Sequence, residues 1–486
     1  MLTQNCVTSG INIYQPTVNK PWNALRVGHL YRRMGFGATY SQLQAALPLV
    51  PANLVDQIVD AALATPLSTT PIWHNWTTEP LFGFTSEETI NEERNEQRWE
   101  WRRQWLGDML TNGFRDKLVL FWSNHFVTQL PVYDCSSYMY AYHRILQTNC
   151  LGNFKDFIYD IGIDGAMLRF LDGSSNTKNA PNENYARELY ELFALGESNG
   201  YTEDDIKETA RALTGWRAQG CGTPYFDPGR FDFTDKTIFG QTGMWTYDDV
   251  IDLLFEQRAD QIADYICRTI YAHFVYPTVD ETIVAELATT FKNNNFELAP
   301  VFRQLFKSDH FFDDVFVGSC IKSPVEAFYQ LMYTTDMVYT DDLLDDVYVY
   351  TARLGQELFN PPDVSGWPGH RSWITEVTLT NRWDFIRTYV LEQFDDTSKA
   401  NLVDLAKNLS GNSNDPVVIT QKMLDFILAK PLDDANNYTI ATRVLKGDIP
   451  AYYYDVGAWN LDWAEAADQL LNLLKYTIKL PEFQLC

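Results

Sequence analysis

The residues best equipped for chemistry lie between Leu171 and Trp216. Their centre is Pro181-Asn182-Glu183-Asn184-Tyr185-Ala186-Arg187-Glu188-Leu189-Tyr190-Glu191-Leu192-Phe193. A proline ahead of an apolar repeat predicts a helix opening. At roughly 100° per residue, Tyr185, Leu189, Leu192 and Phe193 share one side. Glu183, Asn184, Arg187, Glu188 and Glu191 then share a polar arc of roughly 140°. With Asp172 upstream, Glu183, Arg187, Glu188 and Glu191 form a candidate catalytic set, and Asn184 a candidate ligand contact. Glycoside hydrolysis is the chemistry they suggest, because it needs two carboxylates across a cleft with one kept protonated. Arg187 would position them or depress a neighbour's pKa. Neighbouring carboxylates on one helix cannot straddle a substrate, so a partner such as Asp232 or Asp363 is required. The plain alternative is a wet surface laced with pairs four residues apart, Glu183–Arg187 and Arg187–Glu191.

His125, in Phe121-Trp122-Ser123-Asn124-His125-Phe126, is a candidate acid–base group. A histidine among aromatics is more often a satisfied core residue. Ser123 beside it is too isolated for a triad, no G-x-S-x-G elbow occurs, and no glycine loop could cradle phosphate. Oxygen ligands from Asp172, Glu183, Glu188 or Asp232 would suit calcium or magnesium, although the sequence requires no cofactor. Trp216, Trp367 and Trp373 are candidates for stacking sugar rings. The cysteines, Cys6, Cys135, Cys150, Cys221, Cys267, Cys320 and Cys486, show no CxxC and no zinc spacing. Their odd count leaves a free thiol or an intermolecular bond, and one or two disulfides would suit an exported chain.

The elements that must position these groups are helical. The spacing predicts helices over Trp22 to Met34, Pro51 to Ala64, Glu87 to Thr111, Phe114 to Phe126, Tyr138 to Gln147 and Phe154 to Ile161, with Ser41 capping a further one. Thr202-Glu203-Asp204-Asp205 opens another with a capping-box pattern. Helical spacing returns over Tyr247 to Phe316, with breaks at Pro277 and Pro300, and over Trp463 to Leu480. Residues 217–243, glycine-rich and aromatic, are the best candidate for a small β-hairpin or long loop. Asp341 to Asp346 is a solvated acidic face, since it lacks the spacing of a calcium loop. Asn360 to His370 is a proline-stiffened loop. The expected architecture is mainly α: an arm over 1–20, then one large helical domain over 21–486, subdivided if at all near 217–245 and 408–416.

Composition removes several classes. With 45% hydrophobic residues the chain is globular. A net charge of −26 argues against nucleic acid and against anionic lipid. The aromatic load is common where sugars are stacked, but any single aromatic is by default core. No stretch reaches the roughly 18 apolar residues of a transmembrane segment. Met1 to Lys20 shows no signal-peptide pattern, although a cleaved mature form would look the same.

Three motifs together carry a resemblance: Leu171-Asp172-Gly173, the run Pro181 to Leu189, and Tyr201-Thr202-Glu203 through Ala210-Arg211-Ala212-Leu213-Thr214-Gly215-Trp216. They resemble the signature of the bacterial domain-of-unknown-function family numbered 1800. Arg32 to Gly37, Lys117 to Phe126, Lys322-Ser323-Pro324-Val325-Glu326, Leu354 to Trp373 and Leu480 to Gln484 extend it along nearly the whole chain. The resemblance implies one family-length unit, an exported or envelope setting, and a protein partner from a sulfatase-like uncharacterised family numbered 1501. Two positions depart from the family pattern. Ser123 stands where a histidine is usual, and Phe231-Asp232 stands where a His-Asp pair is usual. A metal site built on those histidines would lose its imidazoles.

The expectation is therefore an exported cell-envelope protein, acidic and helical, that binds or assembles with a protein partner or a surface glycan. The alternative is a carboxylate-based hydrolase of a polysaccharide or other extracellular polymer, metal-dependent in one form.

Overall fold

A computed structural model describes residues 8–77 and 87–486. Cys6 lies outside them. The fold is mainly α, with two small antiparallel two-stranded sheets. Side-chain caps set many helix starts. Asn23 accepts from the Arg26 amide to open Ala24–Met34. Thr39 and Gln42 form the capping box of Tyr40–Ala46, so the cap lies two residues before the expected Ser41. Thr202 and Asp205 form the box of Glu203–Ala212. Pro300 does not break a helix but sits in the first turn of Leu298–Lys307, where its missing N–H costs nothing. The acidic run opens Asp341–Arg353, where carboxylates favour the positive end of the helix.

The central helix differs from a regular α-helix. It is α over Asn184–Glu188 and continues as a π-helix over Leu189–Ala194. Pro181 precedes it, and Asn182 Oδ1 accepts from the Asn184 amide at 2.9 Å. Tyr185, Leu189 and Phe193 are buried as their spacing predicts. Leu192 is only half-buried, because π winding rotates it off the apolar face.

Residues 216–243 hold the four strands. β1 (Trp216–Arg217) pairs with β2 (Tyr225–Phe226), and β3 (Lys236–Ile238) with β4 (Gln241–Gly243). A disulfide from Cys135 to Cys221, with Cα atoms 5.6 Å apart, ties this segment to the start of Ser136–Asn149. Ser137 Oγ and Tyr138 OH donate to the carbonyls of Cys221 and Gly222. The remaining described cysteines, Cys150, Cys267, Cys320 and Cys486, are free and buried.

One continuous buried cluster runs from Tyr14 to Phe483. Trp101, Trp105, Trp122 and Trp459 are fully buried in it, so much of the aromatic load is core. The arm is strapped down from residue 8 onward: Ile13 bridges Ser308, and Ser9 bonds Asp313. Among the described residues, no helix is long and apolar enough to cross a membrane.

Candidate functional site

The central helix carries its charged groups on the outer surface. Arg187 pairs with Glu183 at 3.2 Å, Glu191 at 3.1 Å and Glu203 at 2.7 Å. The hydrogen bonds it donates to Glu203 and then Glu191 raise the guanidinium's pKa. Partly exposed pairs of this kind contribute roughly 0.3–0.5 kcal/mol each, so the network trims the surface and does not hold the fold. Asp172 is exposed, has left-handed backbone (φ 58°), and accepts from Asn184 Nδ2 at 3.1 Å. Burial, then Glu191, raises the Glu188 carboxyl. Asp232 is bound to Arg211 Nε at 2.8 Å. Its burial is outweighed by Thr234 and Arg211, which hold it at about 2. Trp216 packs edge-on to Tyr247 at 6.1 Å. None of these residues lines the cleft that gathers His125, Trp367 and Trp373.

That cleft, of about 470 Å³, opens elsewhere. Its walls come from stretches far apart in sequence. Ala24–Met34 brings Arg33, Phe114–His125 brings Lys117, Asn124 and His125, and Ala259–Phe274 brings Tyr265, Arg268 and His273. Ser323 and Glu326 come from the start of Pro324–Thr334, and Gln356, Trp367, His370 and Trp373 from the 356–373 loop. Of the sequence candidates, His125, Trp367 and Trp373 meet here. The two tryptophans are only 5% and 7% exposed, so little of either ring is open to the cleft.

The floor is ionic. Lys117 Nζ donates to Glu326 Oε1, and Glu326 Oε2 accepts from the Ser323 amide at 2.7 Å. Burial alone would raise the Glu326 carboxyl, but Lys117 and then Arg33 outweigh it and hold it at about 2. Arg33 donates through Nε to the Phe274 carbonyl at 3.0 Å, through Nη2 to the His273 carbonyl, and through Nη1 to Cys486 Sγ at 2.9 Å. His125 Nε2 donates to the Phe193 carbonyl at 3.0 Å, which leaves Nδ1 as the unprotonated nitrogen. Burial pushes His125 down to about 4. His273 opens onto the cleft yet is ringed by protein; desolvation and then Lys117 push it to about 3. Burial also lifts the Tyr265 phenol to about 12.

The loop wall is clamped by Asn124. Its Oδ1 accepts from the Trp367 amide at 2.6 Å, and its Nδ2 donates to the Trp367 carbonyl at 3.3 Å. Gly366 allows this approach. Its φ is +85°, and an added Cβ would collide with Asn124 Oδ1 and lie 2.6 Å from the Asn124 carbonyl. Gly366→Ala is expected to cost about 2–4 kcal/mol, from left-handed strain plus overpacking. A melting temperature equal to that of the parent would show that the clamp is absent.

Compared with protein families, the chain matches over residues 29–485 the family described as "Protein of unknown function (DUF1800)". The chain belongs to that family. No curated protein and no solved structure matches it. Four of the five stretches quoted above for the resemblance, beyond the central signature, contribute to this family member's cleft: Arg33, Lys117, Asn124, Ser323, Glu326, Gln356 and Trp367 fall in them, whereas the wall from Ala259–Phe274 does not. Apart from Trp367, these residues carried no chemical signal in the sequence, because they lie on elements far apart in the chain. Ser123, at the family's departing position, is buried, donates to the Leu120 carbonyl at 2.8 Å, and does not line the cleft. Phe231 is likewise buried, against Phe226 and Phe233. Among the described residues no three His, Cys, Asp or Glu side chains are grouped to hold a metal ion.

Proposed function

We propose that this protein is an exported binding protein that takes a saccharide into the cleft between Trp367, Asn124 and Glu326. One observation carries the choice of binding over hydrolysis. Among the described residues the cleft is lined by a single carboxylate, Glu326, which is ionised and locked to Lys117. Glycoside hydrolysis needs a second carboxylate across the substrate and one group kept protonated. His125 at about 4, His273 at about 3 and Tyr265 at about 12 are also poorly matched to proton transfer at neutral pH. What the cleft offers is amide, hydroxyl and imidazole groups beside aromatic side chains, in a volume usual for small polar ligands.

The Cys135–Cys221 disulfide supports export, since such bonds persist in oxidising compartments. A partner protein, the sulfatase-like family included, is a second reading favoured by the exposed Tyr225, Phe226, Phe233 and Met244 beside that disulfide.

Tryptophan fluorescence titrated with a panel of oligosaccharides tests the saccharide reading. We expect a saturable change with at least one of them, weakened about tenfold in Trp373→Ala, and no new reducing ends. Titrations in which every sugar leaves the spectrum flat would sink the reading. Release of reducing ends by the protein would restore the hydrolase.

A further inference from the structure

The charge of the cleft runs against the charge of the chain. The protein has 64 acidic and 38 basic residues. Yet Arg33, Lys117 and Arg268 line the cleft. Arg268 is paired with Asp264 and Glu281 outside it, and among the described residues Glu326 is the one carboxylate that faces Arg33 and Lys117. Lys322 and Arg382 lie below it, 1% and 0% exposed. Glu326 attracts all four cations of the floor, Arg33, Lys117, Lys322 and Arg382, and it can neutralise one.

The other three are held by neutral groups. Arg33 bonds two carbonyls and a thiol. Lys322 Nζ donates to the Phe483 carbonyl and lies 4.2 Å from that ring's centroid. Arg382 Nη1 donates to the Lys322 carbonyl at 3.0 Å, but its Nε and Nη2 have no partner. Burial pushes the Lys322 ammonium well below its ordinary range. Buried charges are normally paired, and removing or withholding a partner is costly. A chain so rich in carboxylates leaves this centre short of them.

We propose that the saccharide taken into the cleft is acidic, with its carboxylate or sulfate group seated against Arg33 and Lys117. This inference rests on the saccharide reading above. Arg33 keeps two N–H groups beyond the three given to the Phe274 and His273 carbonyls and Cys486, and Lys117 keeps N–H groups beyond the one given to Glu326. The helix Pro324–Thr334 starts at the same floor and adds the positive end of its dipole.

The test compares three oligosaccharides of one backbone, neutral, uronate and sulfate-ester, with polyglutamate as a non-sugar polyanion. Binding to the full chain is followed by calorimetry at low and high salt. We expect an acidic sugar to bind at least about tenfold tighter than the neutral one, with the advantage shrinking as salt rises. The tighter of the uronate and sulfate forms identifies the group. Arg268→Gln, at the rim, is expected to weaken the acidic sugar about threefold and leave the neutral one unchanged, with melting curves showing both proteins folded. Equal binding of neutral and acidic sugars overturns this inference and leaves the saccharide reading standing. Polyglutamate binding as tightly as the acidic sugar overturns the saccharide reading and keeps the charge. No binding of any of the four removes both.

Discussion

Glu326→Gln is expected to destabilise the protein by about 3–5 kcal/mol at pH 7, because it leaves Lys117 buried beside Arg33 with no carboxylate. The pKa gives an independent figure. A carboxyl held at about 2 instead of 4.5 is worth about 3 kcal/mol. The sign follows from the depressed pKa: the contribution is complete above the unfolded value and is lost as pH falls towards 2. The gap between parent and variant should therefore be full at pH 7 and close as pH drops below about 4. Burial depresses His125 too, so the unfolded chain takes up a proton there first, and parental stability should already decline below about pH 6.5. Urea unfolding of both proteins from pH 7 to pH 3 measures this. A gap that stays constant across that range would show that Glu326 is not ionised against Lys117.

Removing the Cys135–Cys221 bond is expected to cost on the order of 4 kcal/mol, since it closes a loop of 86 residues in the unfolded chain. The bond anchors the segment that carries β1 to β4, whose sheets are too small to stand alone. Cys135→Ser with Cys221→Ser should lower the melting temperature and open residues 217–243 to proteolysis. Thiol titration in denaturant should find one pair fewer in the parent before reduction than after it. Equal counts before and after reduction would rule the bond out.

The central helix shows how far the sequence could be read. Its apolar face followed from spacing, and Tyr185, Leu189 and Phe193 are buried accordingly. So did the pairs of Arg187 with Glu183 and Glu191, which are local contacts. Glu203, the closest partner of Arg187, was out of reach because it stands 16 residues away on another helix. Leu192 was read as core because the π winding has no mark in the residue pattern.

The cleft was less legible for the same reason. Lys117 and Glu326 are 209 residues apart, and Asn124 and Trp367 are 243 apart. Each looks ordinary in its own stretch: a lysine in a helix, a capping-box glutamate, an asparagine among aromatics. The sequence by itself determined the mainly α class, most of the helix starts and the family, because periodicity, caps and motifs are local properties of a chain. Only the tertiary structure decided that the acidic helix faces solvent, that four cations gather around one carboxylate, and where the cleft opens. Those depend on which distant elements pack together, and packing is set by the shared core.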